Sequence, residues 1–260
     1  TGKGNKYYRN DFPKEGFTDI SDDTGFNQKM YGMGIGQGDI DSDGDLDYYV
    51  TNIGENYFFK NQNGALLNSA KEDGVDLTYV SDSIRGTSWS GLFFDCDFDG
   101  DLDLYVCHGG RAFSQYSIAL NDSYYINNNG TFEKLPKAIS FPKTISSSVV
   151  KPADYDNDGD LDLFVGERYK TKLYGKPCSG YLLENDGNGN FKYMKNDTME
   201  NIGMIKNASW VDINNDGWQD LIVSGEWMPI KIFINENREL VDKTNIYQME
   251  NTCGLWSAME

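Results

Sequence analysis

The chain has 260 residues, 38% hydrophobic and 14% aromatic, with a formal net charge of −18. That length holds one large all-β domain without requiring two, and the apolar content can bury a core, which excludes a disordered chain. The charge excludes nucleic acid and anionic membrane surfaces as partners, no stretch suits insertion into a bilayer as a helix, and four cysteines are too few for a disulfide scaffold.

The first predicted elements are Lys6 to Asn10 and Gly16 to Ile20, two short arms of a hairpin. From residue 30 a repeating unit begins. A small or apolar run, 32–38, predicts a strand into an Asp-rich loop, 39–47, and 46–51 predicts a strand out of it. A hairpin follows, with its first arm at 57–61. The next unit places its strands at 87–94 and 102–107, and its hairpin arms at 124–127 and 131–135. The third has 147–153, 161–165, 181–185 and 190–193; the fourth has 207–211, 221–224 and 231–235. Aromatic and β-branched residues at these places fit half-buried sheet better than helix. The loops start at Asp39, Asp95, Asp154 and Asp212, intervals of 56, 59 and 58 residues, which is a repeat architecture.

Four strands per unit predict propeller blades: an all-β propeller of four-stranded blades joined by Asp-rich loops. As one propeller region over 1–260, residues 1–29 read as the tail of a preceding blade. Blades then cover 30–84, 85–145, 146–202 and 203–250, and 251–260 reads as the first strand of the next. The expectation is a partial arc of a larger ring, with exposed edges and apolar blade faces that promote self-association.

Loop positions 1, 3, 5, 7 and 9 are Asp39, Asp41, Asp43, Asp45 and Asp47 in the first copy, and Asp95, Asp97, Asp99, Asp101 and Asp103 in the second. They are Asp154, Asp156, Asp158, Asp160 and Asp162 in the third, and Asp212, Asn214, Asp216, Trp218 and Asp220 in the fourth. Carboxylates crowded in this way repel one another unless a cation compensates. Oxygen ligands around a turning glycine suit calcium, with side chains at 1, 3, 5 and 9 and a backbone carbonyl at 7. An EF-hand would need glutamate at position 12 and flanking helices, whereas position 12 is Val50, Val106, Val165 and Val223. Zinc lacks sulfur or imidazole ligands here, and magnesium prefers an octahedral shell of waters. Up to four Ca2+ ions are expected, structural in role, each stabilising the fold by mass action.

Tyr8-Arg9-Asn10, Phe17-Thr18-Asp19-Ile20 and the run Gly38 to Asp47 resemble, in that order, the FG-GAP or VCBS repeat family of integrin-α-like propellers, in its ASPIC/UnbV flavour. The resemblance covers the whole chain. It implies a propeller, commonly of about seven blades, with calcium between the first two strands of a blade. It also implies a secreted, periplasmic or surface location and roles in adhesion or ligand binding.

Other chemistry is sparse. His108 reads as a loop residue beyond a strand ending at Cys107. Cys96 and Cys107 read as buried thiols, and a bond between Cys178 and Cys253 stays open. Gly32 to Gly36 precede a loop and not a helix, so a dinucleotide site fails its context. Trp89, Trp210 and Trp256 are expected between blades, and Trp218, Trp227 and the Tyr-rich hairpins at the surface. Asn121, Asn129, Asn196 and Asn207 lie in glycosylation sequons of a kind an asparagine-rich chain produces by chance. The reading is a calcium-binding, non-enzymatic recognition module for a protein or glycan, with no nucleic acid and no membrane insertion. The alternatives are a polysaccharide-active enzyme or its accessory domain, signalled by Arg85, Arg111, Arg168 and Tyr169 facing one groove, and a structural spacer.

Overall fold

Aromatic and β-branched runs punctuated by Gly and Asn turns fold as twenty short strands in the computed structural model, which describes residues 4–14, 16–77, 86–110, 112–135 and 139–257. The leading hairpin is β1 (Tyr8–Asn10) against β2 (Phe17–Asp19), followed by a one-turn helix, α1 (Ser21–Thr24). The first blade is β3 (Gly32–Gly38), β4 (Asp47–Asn52), β5 (Tyr57–Gln62) and β6 (Ala65–Asn68), and the second is β7 (Ser88–Phe94), β8 (Asp103–His108), β9 (Ser123–Asn128) and β10 (Thr131–Lys134). Next comes the short β11 (Ile139–Ser140). The third blade is β12 (Ser147–Ala153), β13 (Asp162–Glu167), β14 (Gly180–Asn185) and β15 (Phe191–Met194), with β11 added in parallel along β15. The fourth is β16 (Met204–Val211), β17 (Asp220–Met228), β18 (Lys231–Asn235) and β19 (Leu240–Asp242).

Each blade is an antiparallel meander with the same register. The last residue of its first strand faces the ninth loop residue: Gly38 opposite Asp47, Phe94 opposite Asp103, Ala153 opposite Asp162 and Val211 opposite Asp220. A register shift recurs at the start of every first strand, at Gly32/Gly34, Ser88/Ser90, Ser147/Val149 and Ile205/Asn207. Such bulges add twist where the strand begins. Glycine in β3 allows first strands to approach: a Cβ on Gly34 would stand 2.5 Å from the Trp89 carbonyl oxygen, and one on Gly36 2.7 Å from that of Gly91.

The core lies between blades. Tyr49 and Phe58 of the first blade meet Phe93, Leu104 and Val106 of the second. Tyr105 and Tyr124 of the second meet Val150, Leu163 and Phe191 of the third, and Phe164 and Leu182 of the third meet Leu221, Val223 and Phe233 of the fourth. Each large side chain fully buried in this way contributes about 1.5–3 kcal/mol. Phe26 and Met30 cover the free face of the first blade at Val50 and Phe59.

The architecture is the expected all-β set of blades; three local readings change and one open question is closed. His108 is no loop residue; it ends β8 at 2% exposure, held by Ser88 Oγ at Nδ1 and Ser123 Oγ at Nε2. Tyr124, Tyr125 and Tyr181 of the hairpins are buried and not at the surface, because the second and third blades that carry them are covered on both faces. Cys178 and Cys253 are free, the first buried and the second exposed. Trp89 packs across blades on Tyr169 and Trp210 on Tyr155, but Trp256 lies near the surface with its N–H donated to the Thr252 carbonyl. The last element, β20 (Gly254–Leu255), pairs antiparallel with β17, and residues 258–260 lie outside the described residues.

Candidate functional site

The four Asp-rich loops share one backbone. Position 4 is left-handed in every copy, at Ser42, Phe98, Asn157 and Asn215, and position 6 is a glycine with φ between 88° and 100°. That second turn is cheap only for glycine. The side chains then hold the turn from inside. The position-1 carboxylate takes backbone N–H groups: Asp39 from Asp43 and Gly44, Asp154 from Asp158 and Gly159, Asp212 from Asp216 and Gly217, and Asp95 from Gly100. The position-5 carboxylate accepts the N–H of position 7 in all four.

Position 9 has a structural role that its spacing did not reveal. Asp47, Asp103, Asp162 and Asp220 are at most 1% exposed. Each accepts the position-2 N–H with one oxygen, and with the other the N–H of the hairpin asparagine: Asn61, Asn127, Asn185 or Asn235. Each clamps its loop to the third strand. The asparagine side chain continues the link, donating to the position-8 carbonyl of its own loop at 3.2 Å in every blade. From the second blade on, it also donates to the position-2 carbonyl of the preceding loop: Asn127 to Ile40 at 3.5 Å, Asn185 to Cys96 at 2.7 Å and Asn235 to Tyr155 at 2.6 Å. The loops are chained blade to blade.

Position 7 reaches the hairpin turn where it is aspartate. Asp45 accepts from the Asn63 N–H and Asp101 from that of Asn129. In the third loop Asp160 Oδ1 is buried with no hydrogen-bond partner, as are Asp95 Oδ1 and Asp97 Oδ1 in the second. Buried carboxylate oxygens without donors are costly, and they are what a bound cation satisfies. Carboxylate oxygens lie within 4.8 Å of one another in three sets: Asp39, Asp41 and Asp43; Asp95, Asp97 and Asp99; and Asp154, Asp156 and Asp162. These clusters can hold a metal ion.

Burial, with neighbouring carboxylates adding to it, raises Asp160 to about 6 and Asp162 to about 8; burial likewise raises Asp103 to about 6. Cys96 stands near Asp97 and Asp103, but burial pushes its thiol far up and it faces the Tyr124 hydroxyl. The donor set is therefore oxygen, which fits a hard cation. In the fourth loop Asn214 turns its amide onto Asp216, Oδ1 accepting the backbone N–H at 3.0 Å and Nδ2 donating to Oδ2 at 2.8 Å. Trp218 is half-buried there and donates its backbone N–H to Asp216.

The other end of the sheets is built differently. The connections from second to third strand run over 53–56, 109–122, 168–179 and 229–230, so blades diverge here. A cavity of about 410 Å³ opens between the long connections of the second and third blades, lined by residues that include Lys143, Ser146, Glu167, Tyr169, Lys170 and Lys176. Beside it, Arg168 is committed to the fold. Its guanidinium lies 4.8 Å from the ring centres of both Trp89 and Tyr169 and pairs with Glu226, which also accepts the Tyr174 hydroxyl. Trp227 is exposed and edge-on to Tyr174. Arg85 and Arg111 lie outside the described residues.

Comparison with known families matches the FG-GAP-like repeat over residues 39–106, 113–165 and 173–250. No curated protein matches the chain. Among solved structures, a similar fold is that of an Agrocybe aegerita lectin described as recognising non-reducing terminal N-acetylglucosamine, at 16% identity and a TM-score of 0.46. The match covers 78% of this chain and 49% of the lectin, so this chain spans about half the length of that structure.

Proposed function

The chain belongs to the FG-GAP-like repeat family, and from that premise we propose that it is a calcium-held propeller acting as a non-enzymatic recognition or adhesion module for a protein or glycan, outside the cell or at its surface. What carries the reading is the division of labour between the two ends of the blades. One end repeats an oxygen-rich loop with buried, donorless carboxylate oxygens at Asp95, Asp97 and Asp160. The other varies its connections and opens a cavity where lysines meet an apolar wall of Tyr169, Leu173 and Pro177.

Calcium would sit among side-chain oxygens of positions 1, 3, 5 and 9. There it compensates crowded carboxylates, among which burial raises Asp47, Asp97, Asp103, Asp156 and Asp162 above the ordinary carboxyl value. The ions stabilise the folded state by mass action and leave the opposite end free for a partner. The test is calcium titration by calorimetry beside thermal unfolding, then a screen of the protein on arrays of glycans and surface proteins. Binding of up to four ions, a melting temperature raised by calcium and lowered by excess chelator, and a partner captured without turnover are expected. Identical unfolding with calcium and with chelator refutes the metal, and calcium-independent cleavage of a polysaccharide refutes the binding role.

A further inference from the structure

We propose that the cavity of the third blade binds a carboxylate-bearing sugar, a hexuronate unit of an acidic glycan; the inference rests on the recognition reading above and names its site. The chain carries a net charge of −18, yet this cavity is lined by Lys143, Lys170 and Lys176 against a single carboxylate, Glu167. The local charge is inverted. Glu167 is already consumed: its Oε2 stands 2.6 Å from Lys170 Nζ and 3.9 Å from Lys143 Nζ, and it accepts the Tyr181 hydroxyl at 3.3 Å. Of the two ammonium groups on that one oxygen, Lys143 is the loosely held one; its side chain is 50% exposed and its Nζ stands 5.8 Å from the centre of the Tyr181 ring. Lys176 is exposed and has no carboxylate within ion-pair distance among the described residues.

The rest of the lining selects a sugar. Thr144, Thr171, Gln115 and Asn201 offer hydroxyl and amide groups that both donate and accept. Tyr169, Leu173 and Pro177 supply an apolar wall for a pyranose face. The volume of about 410 Å³ lies in the range of small-ligand pockets. The cavity is formed by connections and turns, so an extended peptide finds no free strand edge to pair with there. A carboxylate placed toward Lys143 and Lys176 would be read by charge-assisted hydrogen bonds, and its neutral counterpart would leave Lys176 unmatched and Lys143 with only its long contact to Glu167.

The test compares methyl glucuronide and its oligomers with methyl glucoside, which differs by the absence of that carboxylate. Calorimetry and saturation-transfer NMR are run on the whole chain in saturating calcium. The glucuronide is expected to bind at least tenfold more tightly, and a double variant, Lys143→Gln with Lys176→Gln, to abolish the preference without moving the melting temperature. Both lysines are exposed enough for the variant to fold. Equal affinity for the two glycosides overturns the proposal, as does glucuronide binding unchanged in the double variant, the result expected of capture by a loop cation. A neutral glycan or a protein bound with no glucuronide preference overturns this site and leaves the recognition reading standing; no partner of any kind overturns both.

Discussion

Replacing Asn185 tests whether the loops are linked from blade to blade. Its Nδ2 donates to the Cys96 carbonyl of the second loop at 2.7 Å and to the Leu161 carbonyl of the third at 3.2 Å, while its Oδ1 accepts the Asp186 N–H at 2.9 Å and the Gly189 N–H at 3.1 Å. Asn185→Ala removes all four at a site 5% exposed. Each lost bond costs about 1 kcal/mol net, and stranding a buried carbonyl adds more, so at least about 3 kcal/mol is expected. For a domain of this size that is about 6–12 °C in melting temperature. Asn61 is the internal reference, because it makes the bond within its loop, to Leu46 at 3.2 Å, and accepts from Gly64. Among the described residues no preceding Asp-rich loop lies within its reach, and it is only half-buried. Asn61→Ala should cost about 1 kcal/mol. The assay is urea unfolding followed by circular dichroism in saturating calcium. Losses that agree to within about 0.5 kcal/mol, near the scatter of independent sites, would refute the bridge between blades.

Three further outcomes are expected. Asp97→Asn should lower bound calcium by one ion per chain and reduce the melting temperature in calcium but not in chelator; an unchanged ion count, measured by atomic emission, refutes the placement of that ligand. Arg168→Met should cost about 3 kcal/mol, because it leaves Glu226 buried without its main cation, and restoration by Glu226→Gln in the same chain separates lost pairing from lost packing. A half-buried carboxyl and a buried imidazole give opposite pH slopes. Burial raises Asp122 to about 7, so its contribution is complete below the unfolded carboxyl value and is lost as pH rises through 7. Burial lowers His108 to about 3, so its contribution is present above the unfolded imidazole value and is lost as pH falls. Between about pH 4 and 6.5 the two oppose each other, so Asp122→Asn should make the melting temperature fall more steeply on acidification than in the parent; parallel curves would refute this.

What the sequence displays is the local geometry. Nine residues with left-handed backbone at the fourth place and glycine at the sixth carry their own turn, so the loops and the strands beside them were readable from spacing alone. Partners far apart in the chain were not. Asn185 meets the Cys96 carbonyl across 89 residues, and the pattern marks the asparagine without saying what it holds. His108 looked like a loop residue because nothing near it in sequence satisfies both ring nitrogens; Ser88 and Ser123 do so from adjacent strands. The hairpin tyrosines alternate like half-exposed strand residues, but a neighbouring blade buries the second face. Of the cavity only Tyr169 was marked, because the rest is built from 168–179 and its neighbours, where the repeats depart from their own pattern.

The two ends of a blade are coupled through stability and not through charge. In the third blade β13 runs from Asp162, at the loop, to Glu167, at the cavity. That is about 16 Å at the rise of a strand, twice the screening length of about 8 Å in physiological salt. A cation added among the aspartates therefore changes the potential at Lys143 and Lys176 little, while it raises the cost of unfolding the blade that positions them. Glucuronide binding should accordingly be the same within about twofold with calcium and with chelator at a temperature well below the metal-free melting point, and be lost only where chelation unfolds the chain. A tenfold loss of affinity on chelation while circular dichroism still reports the folded protein would show that the ion acts on the cavity directly, and the separation of roles between the two ends would fall.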